Sequence, residues 1–590
     1  MVQIYLDLDG VCMKKTSWGV CISLIFLIPL FVATNMMIKV VAQPDQEPFQ
    51  EHFTFASGGE NHDCMHVTWF TNGSCGSVAK LGMASGVYTK VVQGQSMYQS
   101  MFPKYVHEAN ITGLLPSTRY FYIVGSEGHW SAEHSVRTAD LGDATSFKFV
   151  AYGDTRTDRV ARSQVLDAIN DEIDTNDVRF VLHDGDFVEV GNDPLLWHQW
   201  FADSAVVGAK VPIMGTTGNH ELTGVNDPGY WGVQYQNPSN GPLRVTPTDQ
   251  GHDYTYWFLY DSVFIIELDW NFTYGDPTSS DYAWLNQTLD HANAMRDANL
   301  IYWIVVLAHS PPYCSNGHYN DTTEVTYLCP VLENRGVDLE IGGHTHYWER
   351  NYQLRSPGAT IINKNSMIRQ GLHDPVPGTV YVVSGAGGAP LYPWSSAYLC
   401  SAAHFTDFSY GLITVTKSSN KTESTLHIEC RDINRNVVDT GVTLVKSGIM
   451  LMPPVISSPL DKNIEYASTG NEITWNITSY NMDASAACTI YLNGTPVTGF
   501  NGISWISGIP VSVNVDDLAP GFYNYTIVAA DGLGNSARDT VIVTVNAGTG
   551  AVPGPSWISW VIVIGVLCAI LVPMTSLGIV RSRKRKALGM

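Results

Sequence analysis

Residues 342–350 read GGHTHYWER and follow the strand-like run VDLEI. A strand that stops at two glycines and then sets His344 and His346 at i, i+2 can turn both imidazoles the same way. Four other stretches are built alike: YGDTR (152–156), HDGDFVE (183–189), TGNHE (217–221) and LAHSPPY (307–313). Four of the five sit at the end of an apolar run. In α/β sheets, ligands gather beyond the carboxyl ends of strands, so five distant loops would converge on one place. There, Asp154, Asp186, Asn219, His309, His344 and His346 offer oxygen and nitrogen donors and no thiolate. That mixture suits two first-row ions such as Fe, Mn or Zn better than calcium alone. Each fragment alone is ordinary, since an Asp after a strand often caps a turn and a lone His is usually structural. Their combination in this order is not.

Working outward, apolar strands alternate with helical stretches from Phe147 to about residue 390. FKFVAYGD, RFVLHDGDFV, FIIELDW and IYWIVVLAHS are separated by VARSQVLDAINDEI and YAWLNQTLDHANAM, the pattern of an α/β domain with buried strands. On either side the pattern changes to short alternating runs with turn residues between them, as in small antiparallel sandwiches. In the upstream region, LLPSTRYFYIVG spaces Leu114, Pro116, Thr118 and Tyr120 at alternate positions. This resembles the tyrosine corner of a fibronectin type III domain, in which a Tyr hydroxyl bonds a nearby backbone group.

The 33 basic and 55 acidic residues leave a net charge of -22. That argues against a nucleic-acid-binding surface, which needs excess positive charge. The opening DLDGV (7–11) resembles the nucleophile loop of haloacid dehalogenase-type phosphatases, but no sheet can form around it. It precedes Lys14-Lys15 and the run VCISLIFLIPLFVATNMMIKVVA, which reads as a secretory signal or an uncleaved anchor. A second apolar run, 557–580, is long enough to cross a bilayer and is followed by RSRKRK. The expectation is a single-pass cell-membrane protein with its catalytic domain extracellular. Nine Asn-x-Ser/Thr sequons between the two runs fit a glycoprotein. Cysteine spacing suggests local disulfides Cys64–Cys75 and Cys314–Cys329, and more weakly Cys400–Cys430, leaving Cys488 over.

The expected division is a signal or anchor region 1–42, a fibronectin III-like β-sandwich 43–140 and a catalytic domain 145–446. An immunoglobulin-like β-sandwich 450–547, a linker 548–556, a transmembrane helix 557–580 and a basic cytoplasmic tail 581–590 follow.

The five motifs, together with HYWER and GTVYVVSGAGGAP (378–390), resemble the calcineurin-like metallophosphoesterase superfamily and, from about 50 to 446, its purple acid phosphatase branch. The resemblance implies a four-layer αββα sandwich with a dinuclear centre. Asp154 and His346 would hold the first metal, Asn219, His309 and His344 the second, and Asp186 would bridge them. His220 would contact the phosphate or protonate the leaving group, and His318 would be a further substrate-facing residue.

Two positions depart from the family. The tyrosine expected three residues after the bridging Asp, whose phenolate colours the purple enzymes, is Glu189. The His that other superfamily members carry two residues after the first Asp is Arg156. Glu189 or water would fill the first metal's sphere, while Arg156 would reach a phosphate oxygen or form a surface ion pair.

The implied activity is a cell-surface phosphatase that hydrolyses phosphomonoesters by attack of a metal-activated hydroxide. The alternatives are a phosphodiesterase or nucleotide hydrolase on the same scaffold, or a catalytically inert adhesion protein. The implied partners are a phosphate ester, the membrane through the C-terminal helix, and a second copy in a homodimer.

Overall fold

The computed structural model describes residues 45–547, apart from 56–62, 101–102, 141–143, 224–231, 233, 243–253, 316–322, 357–358, 395–398, 419–420, 449–452, 480–484 and 533–534. The N-terminal region is a pair of antiparallel sheets. One orders strands Phe49–Thr54, Met65–Thr71, Lys104–Ile111 and Gln95–Gln99; the other is built on Val78–Gly82 and Arg119–Ser126. Along 119–126 buried and less buried residues alternate, as one-sided packing requires. Phe53, Val67, Trp69, Leu81, Tyr122 and Val124 fill the space between the sheets. The hydroxyl of Tyr120 accepts the Leu115 N–H at 2.8 Å, closing a corner over five residues. This sandwich is joined to the next domain by polar contacts. The Tyr122 hydroxyl donates to the Ala209 carbonyl (2.9 Å), and Gln50 Nε2 donates to the His198 carbonyl (2.9 Å).

Two large sheets form the next domain. The first orders Ile213–Gly215, Val178–His183, Ser146–Tyr152, Ser409–Lys417, Glu423–Asp432, Val437–Ser447 and Met367–Gly371. The second runs Tyr256–Tyr260, Val263–Leu268, Trp303–Ala308, Leu339–Gly342, Thr379–Ser384, Trp348–Arg355 and Thr360–Asn363. Three neighbouring strands of the first sheet, Ile213–Gly215, Val178–His183 and Ser146–Tyr152, and four of the second, Val263–Leu268, Trp303–Ala308, Leu339–Gly342 and Thr379–Ser384, run parallel, and Val178–His183 and Trp303–Ala308 are buried along their whole length. Such strands need cover on both faces. The sheets cover each other: Tyr256 bonds the Gly215 backbone, Ser384 Oγ donates to the Ala151 carbonyl, and Trp303 Nε1 donates to Ser424 Oγ. On the outer face of the second sheet, Ile266, Leu268 and Val306 pack against Leu285 and Leu289 of helix Ser280–Asp297 and against Leu332. Helices Arg159–Asn176 and Pro194–Gly208 lie against each other in the outer layer of the first half. Asp158 caps the former by accepting from Val160 N and Ala161 N, which fixes where the chain turns from site loop to helix. The result is the expected αββα layering, in which the loops that carry Asp154, Asp186, His309, His344 and His346 come together.

By its internal contacts the chain divides into residues 1–450 and 451–590. The described part of the second unit is all β. Strands Gly521–Ala530 and Ser536–Asn546 pair over their full length, and Trp475, Ile490, Ile527, Val541 and Val543 make its core.

Two expectations are corrected. The single-pass membrane placement fails, because no helix among the described residues is long and apolar enough to cross a membrane. The run 557–580 that suggested it, like the leader 1–42, lies outside the described residues. The disulfides also fail: Cys75, Cys329, Cys400 and Cys430 are thiols, so none of the three pairs forms. Nearness in sequence did not bring the sulfurs together: Cys329 and Cys400 join one apolar cluster with Leu354 and Tyr381, while Cys75 stays partly exposed.

Candidate metal centre

Each of the five loops leaves its strand sharply. Asp154, Asp186 and His344 all take left-handed backbone conformations, with φ of 52°, 56° and 62°. Asp tolerates this region better than most residues, and such conformations persist only where the surroundings over-determine them. The loops lock together through the backbone. Asp154 N–H donates to the Gly185 carbonyl, and Thr155 N–H to that of Asp186, both at 3.0 Å. Space is tight: a Cβ at Gly218 would stand 2.3 Å from Asp186 Oδ1, and one at Gly343 would stand 2.7 Å from Asp154 Oδ2. Only glycine allows these carboxylates to lie where they do.

Asp186 is the hub. Its Oδ1 accepts the His220 N–H at 2.9 Å and lies 3.3 Å from His309 Nε2. Its Oδ2 lies 3.3 Å from Arg156 Nε and 3.9 Å from His220 Nε2. Burial would raise its pKa, but His309 beside it holds the carboxyl below the usual range. His309 donates from Nδ1 to the Asp184 carbonyl at 2.7 Å, leaving Nε2 to face both Asp186 and Asn219 Oδ1, each at 3.3 Å. Burial would lower the His309 pKa, but Asp186 pushes it up to about 10. His344 sits 5.1 Å from His309, centroid to centroid, and its N–H donates to Asp154 Oδ2 at 2.6 Å. Burial, then His309, lowers its pKa to about 4. His346 donates from Nδ1 to the Pro390 carbonyl (2.7 Å), stacks on Tyr392, and aims Nε2 at Asp154 Oδ1 (3.2 Å).

The six residues singled out as ligands are thus together, and they fit metal. Donor atoms of Asp186, His309 and His344 lie within 4.8 Å of one another, as do those of Asp154, Asp186 and His346. Asp154 Oδ1 is buried and makes no hydrogen bond. A buried carboxylate oxygen in that state is costly unless a cation completes it. His220 stands at the edge, its Nδ1 bonded to the Glu189 carbonyl at 2.7 Å. His318 lies outside the described residues.

Arg156 is no surface ion pair. Its side chain is 12% exposed, pairs with Glu189 and Asp186, and brings Nη2 to 3.4 Å from His346 Nε2. Glu189 also accepts the Thr157 hydroxyl at 2.7 Å.

Sequence reasoning missed three groups. Glu221 accepts the N–H groups of Gly218 (2.7 Å), Asp186 (2.9 Å) and Phe187 (2.9 Å), tying the Asp186 and Asn219 loops to one carboxylate. Burial, then Asp186, raises its pKa to about 8. Its signal was visible as the Glu closing TGNHE. Asp184 is fully buried with neither oxygen hydrogen-bonded, and burial, then Asp154, pushes its pKa well up. Trp270 lies against both His309 and His344, 5.6 and 5.5 Å between centroids. No spacing in the sequence announces that contact.

This is the fold and donor set of a metallophosphoesterase, and comparison with known proteins agrees. Residues 147–348 match the family described as calcineurin-like phosphoesterase, and residues 50–138 match the purple acid phosphatase N-terminal domain. The chain is 25% identical over 403 residues to human acid phosphatase type 7, covering 62% of this chain and 83% of that protein. It is 26% identical over 370 residues to Arabidopsis thaliana purple acid phosphatase 21, covering 61% and 74%. The solved structure of purple acid phosphatase PPD1 from yellow lupin superposes with a TM-score of 0.56 at 18% identity, over 68% of this chain and 75% of that one, a likeness of fold. The chain thus carries a purple acid phosphatase N-terminal domain followed by a calcineurin-like phosphoesterase domain and resembles the purple acid phosphatase family, a class of hydrolases. The centre of this family is dinuclear, and the clustered Asp and His residues here can bind metal.

Proposed function

We propose that this chain hydrolyses phosphomonoesters at the cluster around Asp186. The convergence of six donors on one rim, with Asp154 Oδ1 buried and unsatisfied, carries the reading. Asp154 and His346 are assigned to the first metal, Asn219, His309 and His344 to the second, and Asp186 to the bridge. When bound, two metal ions supply Lewis acidity and an activated water. The chain's own residues do the rest. Glu221 holds the bridging loop by three backbone N–H groups, so the carboxylate does not move when charge develops. The Asp184 and Pro390 carbonyls fix the His309 and His346 rings with Nε2 toward the centre. His220, half-buried beside Asp186, is placed to donate a proton to the leaving oxygen. His318 is assigned a place on the substrate side from its motif alone. The same reading assigns residues 43–140 to a fibronectin III-like sandwich, 145–446 to the catalytic domain and 450–547 to an immunoglobulin-like sandwich.

The test is release of phosphate from a chromogenic monoester by the full chain, with Mn, Zn and Fe supplied in turn. Asp186→Ala should lower turnover by about 10³-fold or more, because both metal positions share that carboxylate. Chelation should abolish turnover reversibly. Turnover that survives Asp186→Ala would sink the assignment.

A further inference from the structure

We infer that Arg156 is a built-in counter-cation of the first metal position, so that the two positions fill one after the other, the Asn219–His309–His344 side first. The inference rests on the metal assignment proposed above. Asp154, Asp186 and His346 offer three donors close enough to share one ion. The Arg156 guanidinium reaches among the same groups. Its Nε is 3.3 Å from Asp186 Oδ2, and Nη2 is 3.4 Å from His346 Nε2.

These are the atoms a first metal would need. His346 Nδ1 is committed to the Pro390 carbonyl, so Nε2 is its metal-facing nitrogen, and an Arg156 N–H points at it. The other bridging oxygen, Asp186 Oδ1, faces His309 on the second side. The arginine is also tethered. Nη1 bonds Glu189, which is held in turn by the Thr157 hydroxyl, and the side chain is nearly buried. A guanidinium stays charged and cannot yield its place by losing a proton. It must be pushed aside, and its charge then remains beside the incoming cation. Once displaced, the guanidinium stays near the rim on its Glu189 tether, where an anionic ester arrives.

The test is a titration of the metal-free full chain with Mn²⁺, reading bound metal per chain by equilibrium dialysis and elemental analysis. The wild type should load in two steps, the second needing at least about tenfold more free metal. At one Mn²⁺ per chain, electron paramagnetic resonance should show an isolated ion, not coupled pairs. Arg156→Ala should bring the two steps together and produce coupled pairs at low loading. Arg156→Gln, which keeps most of the volume, should do the same and guards against a misfolded alanine variant. A single affinity for both ions in the wild type, an unchanged gap in folded variants, or no binding at either position would overturn the inference. Metal is read without substrate, so two-step loading without phosphate release would remove the phosphatase reading alone. Single-step loading with release would remove this inference alone.

Discussion

In the chain, one β-rich region precedes the two large sheets and another follows them, and they bury different things. The N-terminal one buries Gln50, Glu51, His52, His66 and His107 along with its apolar core. The C-terminal one, among its described residues, buries only Ser479 and Asp531 as polar groups, beside Trp475, Trp505 and a set of aliphatics. A buried polar side chain needs a partner that a small sandwich cannot always provide. His52 has a partner on each side: Nδ1 meets the Gln50 carbonyl at 3.0 Å within the N-terminal region, while Nε2 bonds the Gln234 carbonyl at 2.8 Å and the ring stacks on Phe201 at 4.7 Å. The first region is therefore part of one unit with the two large sheets, while the second has its own apolar core and forms its own unit.

The sharpest way to break this comparison is deletion. Removing residues 43–140 would expose Phe201, Tyr235 and the Gln234 carbonyl, and it should abolish soluble, active protein. Removing 451–590 should leave phosphate release within about twofold, since the donors described at the site, Asp154 to His346, all lie in the first unit. Equal effects would erase the distinction. Next, Trp475→Ala should cost the C-terminal unit about 3–5 kcal/mol by leaving a cavity. Two-step urea unfolding should show the loss confined to one transition, with turnover unchanged.

Acid sharpens the contrast from the other side. Burial lowers the pKa of both His66 and His107 to about 4. His107 is stacked on Trp69 and bonded to Thr71 and Ser77. Between pH 6.5 and 4 the unfolded chain binds more protons than the fold, so stability falls as pH falls through that window. The loss should approach about 3 kcal/mol per histidine at pH 4 and level off below. Thermal midpoints measured from pH 7 to 4 should drop for the N-terminal transition, and His107→Gln should shrink the drop. The smallest effect is Tyr120→Phe, which removes the hydroxyl that accepts the Leu115 N–H and should cost about 1 kcal/mol in urea unfolding.

Much of this was readable beforehand, for a local reason. An apolar strand followed by Gly and a donor residue is a continuous signal, so Asp154, Asp186, Asn219, His309 and the His344–His346 pair could be picked out and are found together. The Tyr120 corner was legible because its partner is five residues away. What escaped depends on contacts between distant loops. Glu221 matters because it meets Gly218, Asp186 and Phe187, and Trp270 because a neighbouring strand brings it to two histidines. Arg156 was recognised as a departure, but not that its guanidinium reaches His346, 190 positions away. The cysteine pairs failed for the same reason, since proximity in sequence says little about which layer a buried thiol joins.

The left-handed backbone at Asp154, Asp186 and His344 has a consequence for how such a chain diverges. At these positions the shape of the loop and the identity of the ligand are set by one residue. Drift to Gly would keep the turn and discard the donor, whereas drift to a β-branched residue would break both. The site can therefore fall silent by single substitutions that leave the scaffold standing. Recovery is as short, because a descendant that lost only the donors still has the turns waiting for them.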